Sequence, residues 1–150
     1  MLSVSLVKYN RFFLDLSYIW MNDAEIKQLI IAPDFTKEDQ LRWFKDLKLK
    51  TDYLIWGVVT NGIKVGACGL KNITSVDCEY WGYIGNKTYW GKGVGYEIMQ
   101  IIEQKARSLN LNSIWLQVLR NNERAIKLYK KSEFIIEKTN SNLFTMRKCL

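Results

Sequence analysis

Residues 89–108 read YWGKGVGYEIMQIIEQKARS, with Gly91, Gly93 and Gly95 at alternate positions and a helical repeat of apolar residues behind them. Glycine is costly to order, so three together ask what comes too close for side chains. A turn from strand to helix leaves the first helical N–H groups unpaired at the positive end of the helix dipole. Bare glycines let an anionic oxygen reach those amides, and a pyrophosphate suits the geometry. Lys92 adds charge at the mouth. The run is not a Walker loop, because no Gly-Lys-Ser/Thr closes it. Nor is it a dinucleotide fingerprint, which needs G-x-G-x-x-G after a first strand. Taken alone, three structural glycines at a tight turn would read the same.

The flanks supply the context. Upstream, VDCEYWGYIG alternates and predicts a strand near residues 76–85. Downstream come a helix over about 94–109, the buried strand NSIWLQVL, and an amphipathic helix over 122–132 with Ala125, Ile126, Leu128 and Tyr129 inward. This strand, loop, helix, strand, helix segment is the only one with parallel crossovers. Nearer the N-terminus, LSVSLVK predicts a strand over 2–8, with helices near 11–20 and 23–30, the second capped by Asn22 or Asp23. Pro33 breaks the chain; Thr36 and Asp39 then have capping-box spacing before a helix carrying Leu41, Phe44 and Leu47 on one face. Asn61-Gly62 between two apolar runs predicts a hairpin. FIIEK and LFTMRKC close the chain as two strands around a polar turn at 140–142. The order is β-α-α-α-β-β-β-α-β-α-β-β, an α/β (α+β) class with a mixed sheet.

Length and composition set outer bounds. The 150 residues, 48% hydrophobic and 25% charged, suit one domain spanning 1–150. No long apolar run follows a basic start, so neither a signal peptide nor a membrane span is expected. Three cysteines without a CxxC spacing read as reduced thiols, which points to a cytoplasmic location. Histidine is absent, which removes the usual general base, the Ser-His and Cys-His pairs and most zinc sites. Proton chemistry falls to Glu, Asp, Tyr, Lys or water, and no metal is expected. A net charge of +7 favours an anionic partner such as nucleic acid, phospholipid or a phosphorylated small molecule.

The loop and its surroundings resemble the GNAT family of acyl-CoA N-acyltransferases. The match is close over 76–135 and follows element order elsewhere. In that family an (Arg/Gln)-x-x-Gly-x-Gly/Ala loop holds the pyrophosphate of coenzyme A. Here Trp90-Gly91-Lys92-Gly93-Val94-Gly95 stands there, with Trp90 in place of Arg/Gln, and YWGKGVGYE is similar to the YWGKGYATE of the branch acetylating ribosomal-protein N-termini. A second signature, Asn-x-x-Ala-Ile-x-Leu-Tyr-x-Lys-x-Gly-Phe, appears as NERAIKLYKKSEF; Asn122, Ala125, Leu128, Tyr129 and Phe134 match, and Glu133 replaces the glycine. The N-terminal YIWMNDAEI and TKEDQLRWF more loosely resemble small acetyltransferases that modify a nucleotide-linked 4-amino-sugar on the way to pseudaminic acid.

The resemblance implies a mostly antiparallel sheet with a splayed central pair and about five helices. It implies acetyl-CoA as co-substrate and direct attack of a primary amine, with an amine on a nucleotide-sugar as first choice. Such an amine must be neutral: at pH 7 a lysine-type amine loses about 4.6 kcal/mol to deprotonation, an α-amine about 1.4. A carboxylate relay therefore suffices for an amine of low pKa. Glu79, alternating with Trp81 and Tyr83, is the candidate base, against a plain cross-strand ion pair. Tyr129 would hydrogen-bond the departing sulfur, and full proton transfer to a thiolate from an ordinary tyrosine is uphill by about 2 kcal/mol. The resemblance puts the cofactor against the backbone of Tyr83, Ile84 and Gly85 as an added strand. It adds the loop from Trp90 through Gly91, Lys92, Gly93, Val94 and Gly95 to Tyr96, together with Asn122, which would also cap its helix. Trp20, Asn22, Trp43, Trp56 and Trp81 are acceptor-pocket candidates, though tryptophans at such positions are commonly core.

Three alternatives stand beside this reading: an acetyltransferase of protein N-terminal α-amines (ribosomal-protein type) or of another small amine, a basic nucleic-acid-binding domain, and an acyl-CoA sensor without turnover. No RNP, KH or zinc pattern accompanies the charge and the basic residues are spread over helix faces, so no nucleic acid partner is expected, and without a long apolar run no membrane partner is expected. A monomer and a homodimer both remain open.

Overall fold

The computed structural model describes residues 2–150. Seven strands form one sheet in the order β1-β2-β3-β4-β5-β7-β6. The strands are β1 (Val4–Lys8), β2 (Leu54–Thr60), β3 (Ile63–Lys71), β4 (Asp77–Ile84), β5 (Ser113–Leu119), β6 (Ile135–Thr139) and β7 (Leu143–Cys149). The helices are α1 (Arg11–Asn22), α2 (Ala24–Lys27), α3 (Lys37–Asp46), α4 (Val94–Ser108) and α5 (Glu123–Lys131). Element order matches the expectation throughout; the second helix is shorter than the 23–30 its apolar residues suggested.

Local signals explain most boundaries. Asp23, not Asn22, caps α2, accepting from the backbone of Glu25 and Ile26. Thr36 and Asp39 close a full capping box on α3. Asn61 and Gly62 take φ +51° and +77°, the double left-handed turn that suits the twist of a β2–β3 hairpin. α5 ends in a Schellman turn: Glu133 N–H bonds the Lys130 carbonyl and Phe134 N–H the Tyr129 carbonyl. Glu133 thus occupies, at φ +72°, the left-handed position where the resembling sequences carry glycine.

Two cores flank the sheet. The larger joins Val58, Val65, Cys68 and Leu70 to Ile98, Ile102 and Ala106 of α4 and to Leu116, Tyr129 and Met146. The smaller places Tyr9, Phe13 and Leu14 against Ala67, with Leu41, Trp43, Phe44, Trp81 and Tyr83 packed around them. α3 buries no residue completely, so it covers the sheet as an outer flap.

One feature of the sheet positions the site. β4 and β5 form the parallel pair, and their register stops after Asp77↔Ser113, Cys78↔Ile114 and Glu79↔Trp115. β5 stays paired with β7 through Leu119, and β4 with β3 through Ile84, so the two strands diverge past Glu79. The closed end is clamped by Arg147, which donates to Asp77 at 3.1 Å, Ser113 at 2.7 Å and Glu137 at 2.9 Å.

Candidate active site

The divergence of β4 and β5 opens a cleft of about 850 Å³ that runs from the glycine loop to the face under α1 and α3. At the loop end, Gly91 and Gly93 have φ +71° and +83°, and Gly93 is the N-cap of α4 with no side-chain cap. The first helical bond is Glu97 N–H to the Gly93 carbonyl, which leaves the amides of Val94, Gly95 and Tyr96 available. A Cβ at Gly91 or Gly93 would meet nothing within 4 Å, whereas one at Gly95 would lie 2.8 Å from Leu128 Cδ2. The three glycines therefore have two causes. Gly91 and Gly93 serve the backbone turn beneath open space, and Gly95 serves close packing of α4 on α5. Amides left unpaired by the helix at a dipole-positive tip fit a coenzyme A pyrophosphate.

The cations on this wall come from α5. Arg124, Lys127 and Lys131 line the cleft at spacings of three and four residues, one helical face. The Arg124 guanidinium lies 4.8 Å from the Trp90 ring and the Lys131 ammonium 4.5 Å from the Tyr96 ring. Sequence reading missed all three, although the i, i+3, i+7 spacing within NERAIKLYKK was visible. Lys92 does not line the cleft; its ammonium rests 5.9 Å over Tyr89. Asn122 caps α5 through Ala125 N–H, and its Nδ2 donates to the Leu29 carbonyl at 3.3 Å, tying the α2–α3 segment to this wall.

The expected backbone cradle of Tyr83, Ile84 and Gly85 needs correction. A Cβ on Gly66 of β3 would meet the Tyr83 carbonyl, and Gly85 N–H bonds Val65 O at 2.8 Å, so both face β3. Main-chain groups of an antiparallel strand alternate sides, which assigns the open edge to Tyr80, Gly82 and Ile84. Of these, the Ile84 carbonyl already accepts the Trp90 indole N–H at 2.8 Å, bolting the loop to β4.

At the other end the cleft is aromatic. Trp81 and Tyr83 stack at 6.4 Å, and Tyr53 stands between Trp43 at 6.4 Å and Trp81 at 6.5 Å. Tyr53, unflagged by sequence, lines the cleft with its hydroxyl pushed up by burial. Among the described residues the Trp81 indole N–H makes no well-aligned hydrogen bond, although the Tyr53 hydroxyl lies near it. Tyr83 donates to Ser17 Oγ at 2.8 Å, and the Tyr9 hydroxyl lies 3.0 Å from the same atom.

Of the five acceptor candidates, Trp43 and Trp81 line the cleft and the other three do not. Trp56 lies on the opposite face, under Lys105 at 4.7 Å and against the α4 core. Trp20 packs over Gly85 and meets Tyr83 edge-on at 6.3 Å, outside the cleft lining. Asn22 spends its Nδ2 on the Tyr18 carbonyl at 2.7 Å. Strand alternation decides the first and helix phase the other two.

Glu79 and Tyr129 both line the cleft. Glu79 is 7% exposed, accepts from Asn72 Nδ2 at 2.9 Å and lies 3.8 Å from Lys71 Nζ. Tyr129 packs edge-on to Tyr80 at 6.3 Å; its hydroxyl has no hydrogen bond to another described residue, and burial pushes it up to about 12. Against a thiol near 8.5, full proton transfer would then cost about 5 kcal/mol, so Tyr129 suits hydrogen-bond donation rather than free acid catalysis.

Known proteins share this fold. Residues 14–134 match the profile of the acetyltransferase (GNAT) family. The acetyltransferase PseH of Campylobacter jejuni (serotype O:23/36, strain 81-176) is 28% identical over 124 residues, 82% of this chain and 77% of that protein. A crystal structure of Campylobacter jejuni PseH with acetyl coenzyme A superposes with a TM-score of 0.74 at 24% identity, covering 99% of both chains. A domain from Methanocaldococcus jannaschii superposes at 0.89 with 19% identity over the whole of both chains. A match over most of its length, on the loop and helix that build the cleft, makes this chain a member of the acetyltransferase (GNAT) family.

Proposed function

We propose that this chain transfers an acetyl group from acetyl-CoA to the primary amine of a nucleotide-linked aminosugar, as a single catalytic domain. One observation carries the reading: a single cleft joins free helix-tip amides to an aromatic chamber holding a buried carboxylate. Acetyl-CoA supplies the activated thioester. The amides of Val94, Gly95 and Tyr96 with Arg124, Lys127 and Lys131 bind its phosphates, and the edge of β4 at Tyr80 and Gly82 holds the pantetheine arm. Trp43, Tyr53 and Trp81 offer flat faces to a sugar or base.

The chain's own groups then do two things. Glu79 accepts the proton that the amine sheds, directly or through one water. Tyr129 donates a hydrogen bond to the sulfur as it departs. Conversion of Tyr129 to Phe keeps the ring packing, so kcat should fall by about 100-fold with little change in acetyl-CoA affinity; an unchanged kcat removes Tyr129 from the mechanism. The acceptor class is tested by thiol release from acetyl-CoA against aminosugar nucleotides, N-terminal peptides and polyamines. The reading expects the highest kcat/KM with an aminosugar nucleotide. A preference for peptides, or turnover of none, refutes it. The absence of a long apolar helix among the described residues agrees with a cytoplasmic role, which the chemistry of a nucleotide-sugar acceptor also favours.

A further inference from the structure

We infer that Asn72 is a positioning residue that holds the Glu79 carboxylate in the orientation for taking a proton from the acceptor; this rests on the reading of Glu79 as the base. Glu79 is the last residue of β4 paired with β5 before the two strands part, so its backbone is fixed on both sides while its side chain lines the cleft. Oε1 accepts from Asn72 Nδ2 at 2.9 Å. Oε2 lies 3.8 Å from Lys71 Nζ, attracted by the cation but too far away for a hydrogen bond. One oxygen is therefore occupied by a neutral donor, and the other keeps lone pairs free for a proton.

The backbone around Asn72 is built for that bond. Asn72 has φ +51°, a left-handed conformation that asparagine tolerates better than other side-chain-bearing residues. The turn swings its amide back onto β4, seven residues further along the chain. The chain leaving the turn is anchored twice: Ile73 N–H bonds the Asp52 carbonyl at 3.1 Å, and Thr74 N–H bonds the Asp77 carbonyl at 2.9 Å. Thr74 Oγ1 also donates to Asp77 Oδ1 at 2.9 Å and accepts from the amides of Val76 and Asp77. A loop this constrained cannot let Asn72 follow a wandering carboxylate; the carboxylate comes to it. The charged or titratable groups beside Glu79 are Lys71 from β3, Tyr53 ahead of β2, and Asp77 on its own strand. Asp77 is itself paired with Arg147 at 3.1 Å.

The test compares three variants by steady-state kinetics and thermal melting. Asn72→Gly keeps the left-handed backbone and removes the donor; Asn72→Asp keeps the shape and turns donor into acceptor; Glu79→Gln removes the base. Asn72→Gly should leave the melting temperature and the KM for acetyl-CoA unchanged while kcat falls about tenfold. Asn72→Asp should lower kcat further at the same KM, and Glu79→Gln further still. If Asn72→Gly keeps wild-type kcat while Glu79→Gln loses it, the positioning role is wrong and the base survives. A kcat loss that merely tracks lost folded protein, or one accompanied by an equal change in the KM for acetyl-CoA, also overturns it. Full turnover by Glu79→Gln removes base and positioning residue together.

Discussion

Replacing Glu133 by glycine should stabilise this protein, although it deletes a charged side chain and an ion pair. Glu133 sits at φ +72°, where a side chain costs about 1–2 kcal/mol. Glycine relieves that strain but loosens the unfolded chain by about 0.5–1 kcal/mol. The pair lost is a weak one: Lys148 is 3.5 Å from Glu133, whose side chain is 82% exposed, and keeps its 2.7 Å contact with Glu103. Such an exposed pair is worth at most about 0.5 kcal/mol. The cleaner comparison is with Glu133→Ala, which loses the same pair and keeps the strain. Glycine should exceed alanine by about 0.5–1 kcal/mol, a gap of roughly 2 °C in melting temperature for a chain of this size. Thermal unfolding followed by circular dichroism, with urea titration as a check, measures it. If alanine matches or exceeds glycine, the turn after α5 is not left-handed and the Schellman assignment fails.

Three further outcomes follow from the same geometry. Gly93→Val should weaken acetyl-CoA binding by on the order of 100-fold, about 2.7 kcal/mol, whereas Gly95→Ala should act first on melting temperature through Leu128; calorimetric titration separates them, and undiminished binding by the valine variant counts against the amide site. Native protein at pH 8 should show one fast thiol, exposed Cys149, and two slow ones, because burial pushes Cys68 up to about 12 and Cys78 up to about 11; fast reaction of all three contradicts the packing. Tyr9 and Tyr129 are held up at about 12 by burial, so the stability tied to their neutral form is complete below pH 10 and disappears as pH rises towards 12. Melting temperature should accordingly be insensitive to these groups near pH 8 and fall above pH 10, and a flat profile to pH 12 would contradict their burial.

Much of this architecture was legible because its elements obey local rules. The capping box at Thr36, the Asn61-Gly62 turn and the alternation of β4 act within a few residues, so a linear reading finds them. The glycine loop and the α5 signature were found together by spacing and resemblance. What was not legible depended on which side an element turns. Trp56 and Trp81 both belong to alternating strands, but the sequence does not say which face α4 will cover. Likewise, nothing local tells whether the main chain of Tyr83 or of Gly82 will point into the gap; that follows from β3 claiming the odd residues. Asn72 escaped notice because its partner is brought back by a loop whose left-handed start carries no motif. Arg124, Lys127 and Lys131 looked like an ordinary solvated face until the cleft was placed beside it.

The parted strands have a consequence beyond catalysis. Among the described residues the two halves of the sheet share no ladder past Glu79, and the three pairs before it, with the clamp around Arg147, hold them in register. A molecule laid into the gap acts as a removable rung, so occupancy should be felt by both leaves at once. Amide exchange at residues 80–84 and 116–119 would then slow in concert on binding, and the fold would report its cargo through its own stiffness.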